Sequence, residues 1–124
     1  MINPELKVKN LYKTYSVNSK KIEVTKNISF TAEQGNLIWI YGNSGAGKST
    51  FLNLITGIDY PDAGEIEWGD KNINKMSNGE RAKFRLENCG LIFQFFELIK
   101  SQTIFDNASI PLKIQKKSKK EIRE

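Results

Sequence analysis

Apolar positions follow three rhythms along this chain, and each rhythm predicts a different kind of element. Leu6-Lys7-Val8-Lys9-Asn10-Leu11 alternates apolar with polar, the rhythm of a strand buried on one face. Ile22, Val24, Ile28 and Phe30 keep one phase behind the charged pair Lys20-Lys21, which predicts a second strand from Ile22 to Phe30. The polar run from Ser16 to Lys21 reads as the turn between them, and Glu33–Asn36 as another. Pro61-Asp62-Ala63-Gly64 is a turn with proline early and glycine last, and Glu65–Trp68 behind it alternates as a third, exposed strand.

Two stretches abandon alternation. Leu37–Tyr41 and Cys89–Phe93 are apolar without a break, which predicts strands buried on both faces. The third rhythm is helical: Phe51, Leu52, Leu54, Ile55 and Ile58 recur on one face, and Gly57 stands where such a helix ends. Ser77-Asn78-Gly79-Glu80 is a capping box, predicting a short charged helix from Glu80 to Asn88. Thr103 predicts the cap of a helix running to about Ser109, where Pro111 discourages continuation. Ser118-Lys119-Lys120-Glu121 is a second capping box with three residues after it, as if a helix had been cut.

Composition narrows the class. A length of 124 residues allows at most one ordinary domain, and 39% hydrophobic with 27% charged residues describes a soluble globular chain. The single cysteine excludes an internal disulfide and suits a reducing cytoplasm; Cys89 reads as a small buried hydrophobe. The N-terminus has no apolar segment of a secretory signal, and the densest apolar runs fall well short of the ~20 residues of a membrane span. Any membrane role is therefore expected through a partner. The net charge of +5 is concentrated partly in Lys113, Lys116, Lys117, Lys119, Lys120 and Arg123. No aromatic residue is interleaved there for base stacking, so a solvated helix face is expected and no nucleic-acid partner.

Chemistry enters between the first uniform apolar run and the helical rhythm. "YGNSGAGKST" places Gly42, Gly47, Lys48 and Ser49 in the pattern G-x-x-x-x-G-K-[ST], with a strand before it and a helix after it. Gly42, Gly45 and Gly47 let the backbone turn tightly and approach phosphates without a Cβ in the way. Backbone N–H groups from Gly45 through Ala46 to Thr50 are expected to point inward, backed by the helix dipole, with Asn43 and Ser44 completing the loop. Lys48 supplies an ammonium to the terminal phosphates, Ser49 a hydroxyl to Mg²⁺, and Thr50 a hydroxyl to the phosphate nearest the ribose. Asp59 and Asp62 are expected beyond the far end of the helix, about 15 Å from the phosphates. The loop alone admits many nucleotide-binding folds.

Its flanks choose among them. "NLYKTY", "KNISF", "GNSGAGKSTFLNLITGIDYPDAGEI", "ERAKFR", "GLIFQFFELI" and "DNASIPL" occur in the order and spacing of one family. The chain resembles the ATP-binding subunit of ABC transporters, most closely the branch that powers lipoprotein release and macrolide or peptide export. No guanine-reading Asn-Lys-x-Asp occurs that would favour a GTPase.

The resemblance implies an α/β fold: a P-loop NTPase (RecA-like) core with a small antiparallel β subdomain, incomplete here. It assigns residues 5–35 and 60–75 to the β subdomain, 36–58 and 80–99 to the core, and 100–124 to the start of a helical subdomain. The implied cofactors are ATP and Mg²⁺. Tyr15, closing "KTY", matches the aromatic that stacks on adenine, with Tyr12 as a nearby competitor inside the first strand. Gln94, ending "LIFQ", matches the glutamine that reaches Mg²⁺ and the attacking water. The segment Phe95–Ile99 matches the one that meets the transmembrane permease subunit, although burial in the domain's own core competes with that reading. The other implied partner is a second ATP-binding subunit, and the implied location is the cytoplasmic face of the cell membrane, held there by partner subunits.

Departures within the motifs are small: Asn43 where proline is frequent, Ala46 where serine is, Asn36 where glutamate is. Larger elements are missing from these residues. No LSGGQ-like signature follows Gln94, no apolar strand ends in Asp-Glu, and there is no histidine. The expectation is a chain that corresponds to the first half of the family domain, binds Mg-ATP, and does not hydrolyse it alone. Uncovered apolar surface and open sheet edges would favour self-association. The competing expectation is a stand-alone, non-hydrolytic nucleotide-binding or interaction module that pairs with a complementary half.

Overall fold

In the computed structural model, which describes residues 5–95 and 97–123, the alternating rhythm becomes one antiparallel sheet. β1 (Leu6–Val17) and β2 (Lys20–Ala32) form a long hairpin; β3 (Ala63–Trp68) pairs with the other edge of β1 and β4 (Lys71–Asn72) closes the order β2-β1-β3-β4. Asn18 and Ser19, both at left-handed φ (48° and 63°), make the two-residue turn that matches strand twist. Both predicted strands of the hairpin are present and run longer than alternation alone suggested.

The pairing of β1 with β2 slips between Val8 and Leu11. Asn10 and Asn27 face this slip, both at left-handed φ, and the Asn10 Nδ2 donates to Asn27 Oδ1 at 2.8 Å. The extra residue shifts the phase of β1, so that Leu6 and Val8 are buried before it and Leu11 and Lys13 after it. Gly64 lies against this bulge at φ 95°, where an added Cβ would collide with the Lys9 and Asn10 carbonyls. β3 is not the exposed strand its charges suggested. It is sandwiched between β1 and β4, and Ile66 is fully buried.

One helix covers the sheet. α1 (Lys48–Ile55) buries Phe51, Leu54 and Ile55, each such side chain contributing roughly 1.5–3 kcal/mol when withdrawn from water. The Phe51 ring lies 5.6 Å from that of Phe30 on β2, and the Trp68 indole N–H donates to the Ile55 carbonyl at 2.8 Å. These contacts fix both ends of α1 on the sheet. A short 3₁₀ turn, Ile73–Lys75, leads to α2 (Asn78–Asn88). Its capping box forms as read: Ser77 N–H donates to Glu80 Oε2 at 2.8 Å, and Glu80 N–H to Ser77 Oγ at 3.3 Å. Arg81, buried one turn later, lays its guanidinium 3.2 Å from the Tyr60 ring centroid.

The chain divides into two compact units at Lys83/Phe84, inside α2. In the second unit, α3 (Ile104–Ile114) is capped by Thr103, whose hydroxyl accepts from Asp106 N–H at 3.0 Å. α3 does not stop near Ser109 but passes through Pro111. Proline's fixed φ is helical, and the missing N–H removes one bond, to the Asn107 carbonyl. The helix then closes with Gln115 N–H on the Pro111 carbonyl at 3.0 Å, while Gln115 Nε2 grips the Leu86 carbonyl at 2.8 Å. α4 (Lys119–Arg123) starts on the second capping box, Ser118 with Glu121.

The two uniform apolar runs form no strand among the described residues. Leu37 is 96% exposed and Trp39 82%, and in the second unit Ile92 is 95% exposed. The parallel strands expected at 37–41 and 89–93 are therefore absent from the sheet, which is wholly antiparallel. A run that is apolar at every position has no wet face; it needs a neighbour on each edge and a layer on each side. Cys89, expected buried, is only partly so, and that partial burial pushes its thiol pKa up.

Candidate functional site

The glycine loop sits between the irregular 37–41 segment and the first turn of α1. Gly45 and Gly47 hold φ of 80° and 83°, and a Cβ on Gly47 would come within 2.7 Å of the Val24 carbonyl oxygen. The loop thus rests directly on β2 at a point where only glycine fits. Ala46 N–H closes the turn on the Asn43 carbonyl at 3.1 Å, and the first bond of the helix runs from Phe51 N–H to the Gly47 carbonyl at 2.8 Å.

That geometry leaves donors free. Gly47 caps α1 without a side-chain bond, and no acidic residue occupies the first turn. The N–H groups of Lys48, Ser49 and Thr50 accordingly find no acceptor on the chain among the described residues. Lys48 folds its ammonium over the loop, donating to the Gly42 carbonyl at 2.8 Å and the Asn43 carbonyl at 2.7 Å. Ser44 and Ser49 are exposed, and Thr50 is half-buried. A cationic group, a row of free N–H donors and a helix N-terminus converge without a competing carboxylate, which is the donor set a phosphate chain fits.

Beside the loop lies an arrangement that alternation did not foretell. The chain reverses after α1 at Gly57, φ 67°, so that Ile58 and Asp59 N–H both bond the Asn53 carbonyl, at 2.8 and 3.1 Å. This return corrects the expectation for Asp59: its carboxylate is not stranded past the helix end but reaches back to β1. Asp59 Oδ2 accepts the Tyr15 hydroxyl at 2.5 Å, and Oδ1 accepts the Lys13 ammonium at 3.1 Å. Lys13 also donates to the Tyr60 carbonyl at 2.6 Å and lies 4.9 Å from the centroid of the Tyr15 ring. Burial raises the Tyr15 pKa, the bond to Asp59 raises it further, and the nearby Thr50 side chain acts the other way. For Asp59, burial pushes up, but donors from Tyr15, the Tyr60 N–H and Lys13 outweigh it, leaving its pKa below the ordinary carboxylate range.

Tyr15 is thereby joined to Asp59 and neighbours Thr50 in the first turn of α1. Tyr12 instead pairs with Ala63 in the sheet, and its carbonyl accepts from Asp62 N–H at 2.9 Å. Lys13 and Asp59 are the members of this cluster that sequence reasoning missed. The signal was a lysine falling in the inward phase of β1 after the bulge, a position that demands an anionic partner.

A groove of about 340 Å³ opens behind the loop, lined by Thr25, Ile28, Phe30, Ile38 and Phe51, with Lys48 at its rim. Its lining is mainly apolar, unlike the loop's open face.

Gln94 belongs to the second unit, where it sits exposed in a turn. Phe95 and Leu98 after it are exposed, Ile99 is held by Asn107 through bonds of 2.7 and 3.1 Å, and Phe96 lies outside the described residues. Among the described residues no helix is long and apolar enough to cross a membrane.

Comparison with known proteins places this geometry. Residues 25–124 match the family model described as ABC transporter. The chain is 42% identical over 106 residues to the lipoprotein-releasing system ATP-binding protein LolD of Wigglesworthia glossinidia brevipalpis, covering 86% of this chain and 46% of that protein. It is 40% identical over 110 residues to the methionine import ATP-binding protein MetN 1 of Listeria monocytogenes serovar 1/2a, covering 89% of this chain and 32% of that one. The dimeric structure of MJ0796, a bacterial ABC transporter cassette, superposes with a TM-score of 0.89 at 35% identity, over 95% of this chain and 52% of that chain. A post-hydrolysis state of MJ0796 bound to ADP and Pi superposes equally well, with a TM-score of 0.89. The chain spans about half the length of the LolD relatives, 46% and 52% in two of them. It belongs to the ABC transporter family and has the α/β fold of that family's P-loop NTPase cassettes.

Proposed function

We propose that this chain is the nucleotide-holding portion of an ABC-type ATP-binding subunit, which in complete form couples ATP hydrolysis to transport. The observation that carries the reading is the first turn of α1: free N–H donors at Lys48, Ser49 and Thr50, the Lys48 ammonium, and Tyr15 beside Thr50. In this reading Gly42 to Thr50 embrace the phosphates and Lys48 exchanges its two loop carbonyls for phosphate oxygens. Ser49 and Gln94 serve Mg²⁺, Gln94 also orients water, and Tyr15 stacks on the base. When bound, Mg²⁺ would offset charge on the terminal phosphates.

The assignment of 5–35 and 60–75 to a β subdomain, 36–58 and 80–99 to a core, and 100–124 to a helical subdomain belongs to the same proposal. So do its partners and place: a permease subunit met through Phe95–Ile99, a second ATP-binding subunit, and the cytoplasmic face of the membrane. These 124 residues hold no LSGGQ-like signature, Asp-Glu strand end or histidine, so binding without turnover is the expected behaviour of the chain by itself.

Calorimetric titration with Mg-ATP tests the reading. Lys48→Ala should weaken binding by about 1.5–3 kcal/mol, the worth of a charge-assisted contact. Unchanged affinity in a folded mutant sinks the assignment. Phosphate release should not exceed that of Lys48→Ala, and should appear when the remaining part of the family domain is supplied.

A further inference from the structure

The cluster that joins β1 to the return after α1 goes beyond the residues given roles above. We infer that Asp59 is a positioning residue for the nucleobase platform: one carboxylate oxygen fixes the Tyr15 hydroxyl while the other holds the Lys13 ammonium against one face of the ring. The inference rests on the proposed reading of Tyr15 as the stacking aromatic.

Three features argue for a built device. A tyrosine near the end of a hairpin strand ordinarily keeps its rotamer freedom, whereas the 2.5 Å bond to Asp59 ties this ring at its far end. Lys13, buried although cationic, has its ammonium 4.9 Å from the ring centroid, so that side of the ring is occupied and stacking is confined to the other. Asp59 owes its place to the Gly57 reversal and the two bonds to the Asn53 carbonyl, one helical turn from Thr50. The platform and the phosphate loop are therefore referred to the same short helix. A ring fixed before the ligand arrives loses less freedom on binding, which is the source of affinity in a preorganised site.

The consequence is selective for the base. In the full chain, with Mg²⁺, ATP and inorganic tripolyphosphate are titrated against Asp59→Ala, Asp59→Asn, Tyr15→Ala and Tyr15→Phe. Asp59→Ala should weaken ATP by about threefold to tenfold, the span of one net hydrogen bond, while tripolyphosphate affinity stays within about twofold. Asp59→Asn retains an acceptor for the hydroxyl and should restore most of the ATP affinity. Tyr15→Phe should show a milder, equally base-selective loss, and adding Asp59→Asn to it should cost nothing more. Equal losses for ATP and tripolyphosphate in Asp59→Ala would mean a purely structural carboxylate and overturn the inference. If Tyr15→Ala discriminates between the two ligands but Asp59→Ala does not, the platform stands and the positioning role falls. If Tyr15→Ala does not discriminate either, both fall together. Should Asp59→Ala fail to fold, the Tyr15→Phe background decides: a further ATP loss on adding Asp59→Asn overturns the coupling.

Discussion

Leu6–Val17 and Leu37–Tyr41 are both strand-like sequences in the same compact unit, and they meet opposite fates. The first alternates, finds β2 on one edge and β3 on the other, and buries Leu6, Val8 and Leu11. The second is apolar throughout, joins no sheet, and presents Leu37 and Trp39 to solvent. An alternating strand brings its own instructions: one face in, one face out, and a turn that delivers the partner. A uniformly apolar strand depends on layers that its neighbours in sequence do not provide.

The largest effect that separates the two regions is the cost of truncation. Leu11→Ala empties a fully enclosed site and should destabilise the fold by about 2–5 kcal/mol in urea denaturation. Leu37→Ser should leave stability within about 0.5 kcal/mol while reducing any concentration-dependent association seen by sedimentation. A Leu37→Ser loss as large as that of Leu11→Ala would show the segment buried in solution and break the comparison.

A middle-sized effect sharpens it. α2 begins with a reciprocal box in which Ser77 and Glu80 satisfy each other's backbone and side chain. Ser77→Ala should cost about 1 kcal/mol of stability, because an orphan N–H loses its acceptor at the start of a helix that Arg81 already anchors in the first unit.

The smallest effect concerns the matching box on α4. Bonds from the Ser118 N–H and hydroxyl, then from Lys117, hold the Glu121 pKa down at about 2, against an ordinary 4.5. Because the folded value is the lower one, the contribution is complete above the ordinary value and is lost as pH falls from there toward 2. Glu121 carboxyl shifts followed by NMR should titrate near 2, and α4 should fray over that window. The group is exposed, so salt should weaken the effect.

Legibility followed the same divide. The hairpin, β3, the loop, α1 and both capping boxes could be read because each is specified by residues within a few positions of one another. Element ends were less legible: Pro111 signalled a stop, but its φ was compatible with helix continuing to Ile114, and tertiary contacts such as Gln115 to Leu86 kept the helix going. The strands at 37–41 and 89–93 were read from composition alone, which says what a segment would bury but not what is there to cover it. In the candidate site, the loop residues from Gly42 to Thr50 are contiguous and were plain. The contacts of Asp59 are not legible in the same way, because helical rise carries a residue away from the loop whereas Gly57 turns the chain back beside Asn53.

The two tryptophans occupy opposite sides of that divide, and this gives the molecule an optical signature. Trp39 stands in water on the irregular 37–41 segment, whereas Trp68 is half-buried with its indole N–H on the Ile55 carbonyl. Emission from Trp39 should be red-shifted and open to iodide or acrylamide quenching, and that from Trp68 bluer and shielded. Whatever layer comes to lie over residues 37–41, a second copy of the chain or a complementary half, would announce itself as a blue shift of Trp39 alone. Unfolding of the sheet would move Trp68 instead. A single steady-state spectrum with its quenching curve can therefore distinguish docking from denaturation without a label.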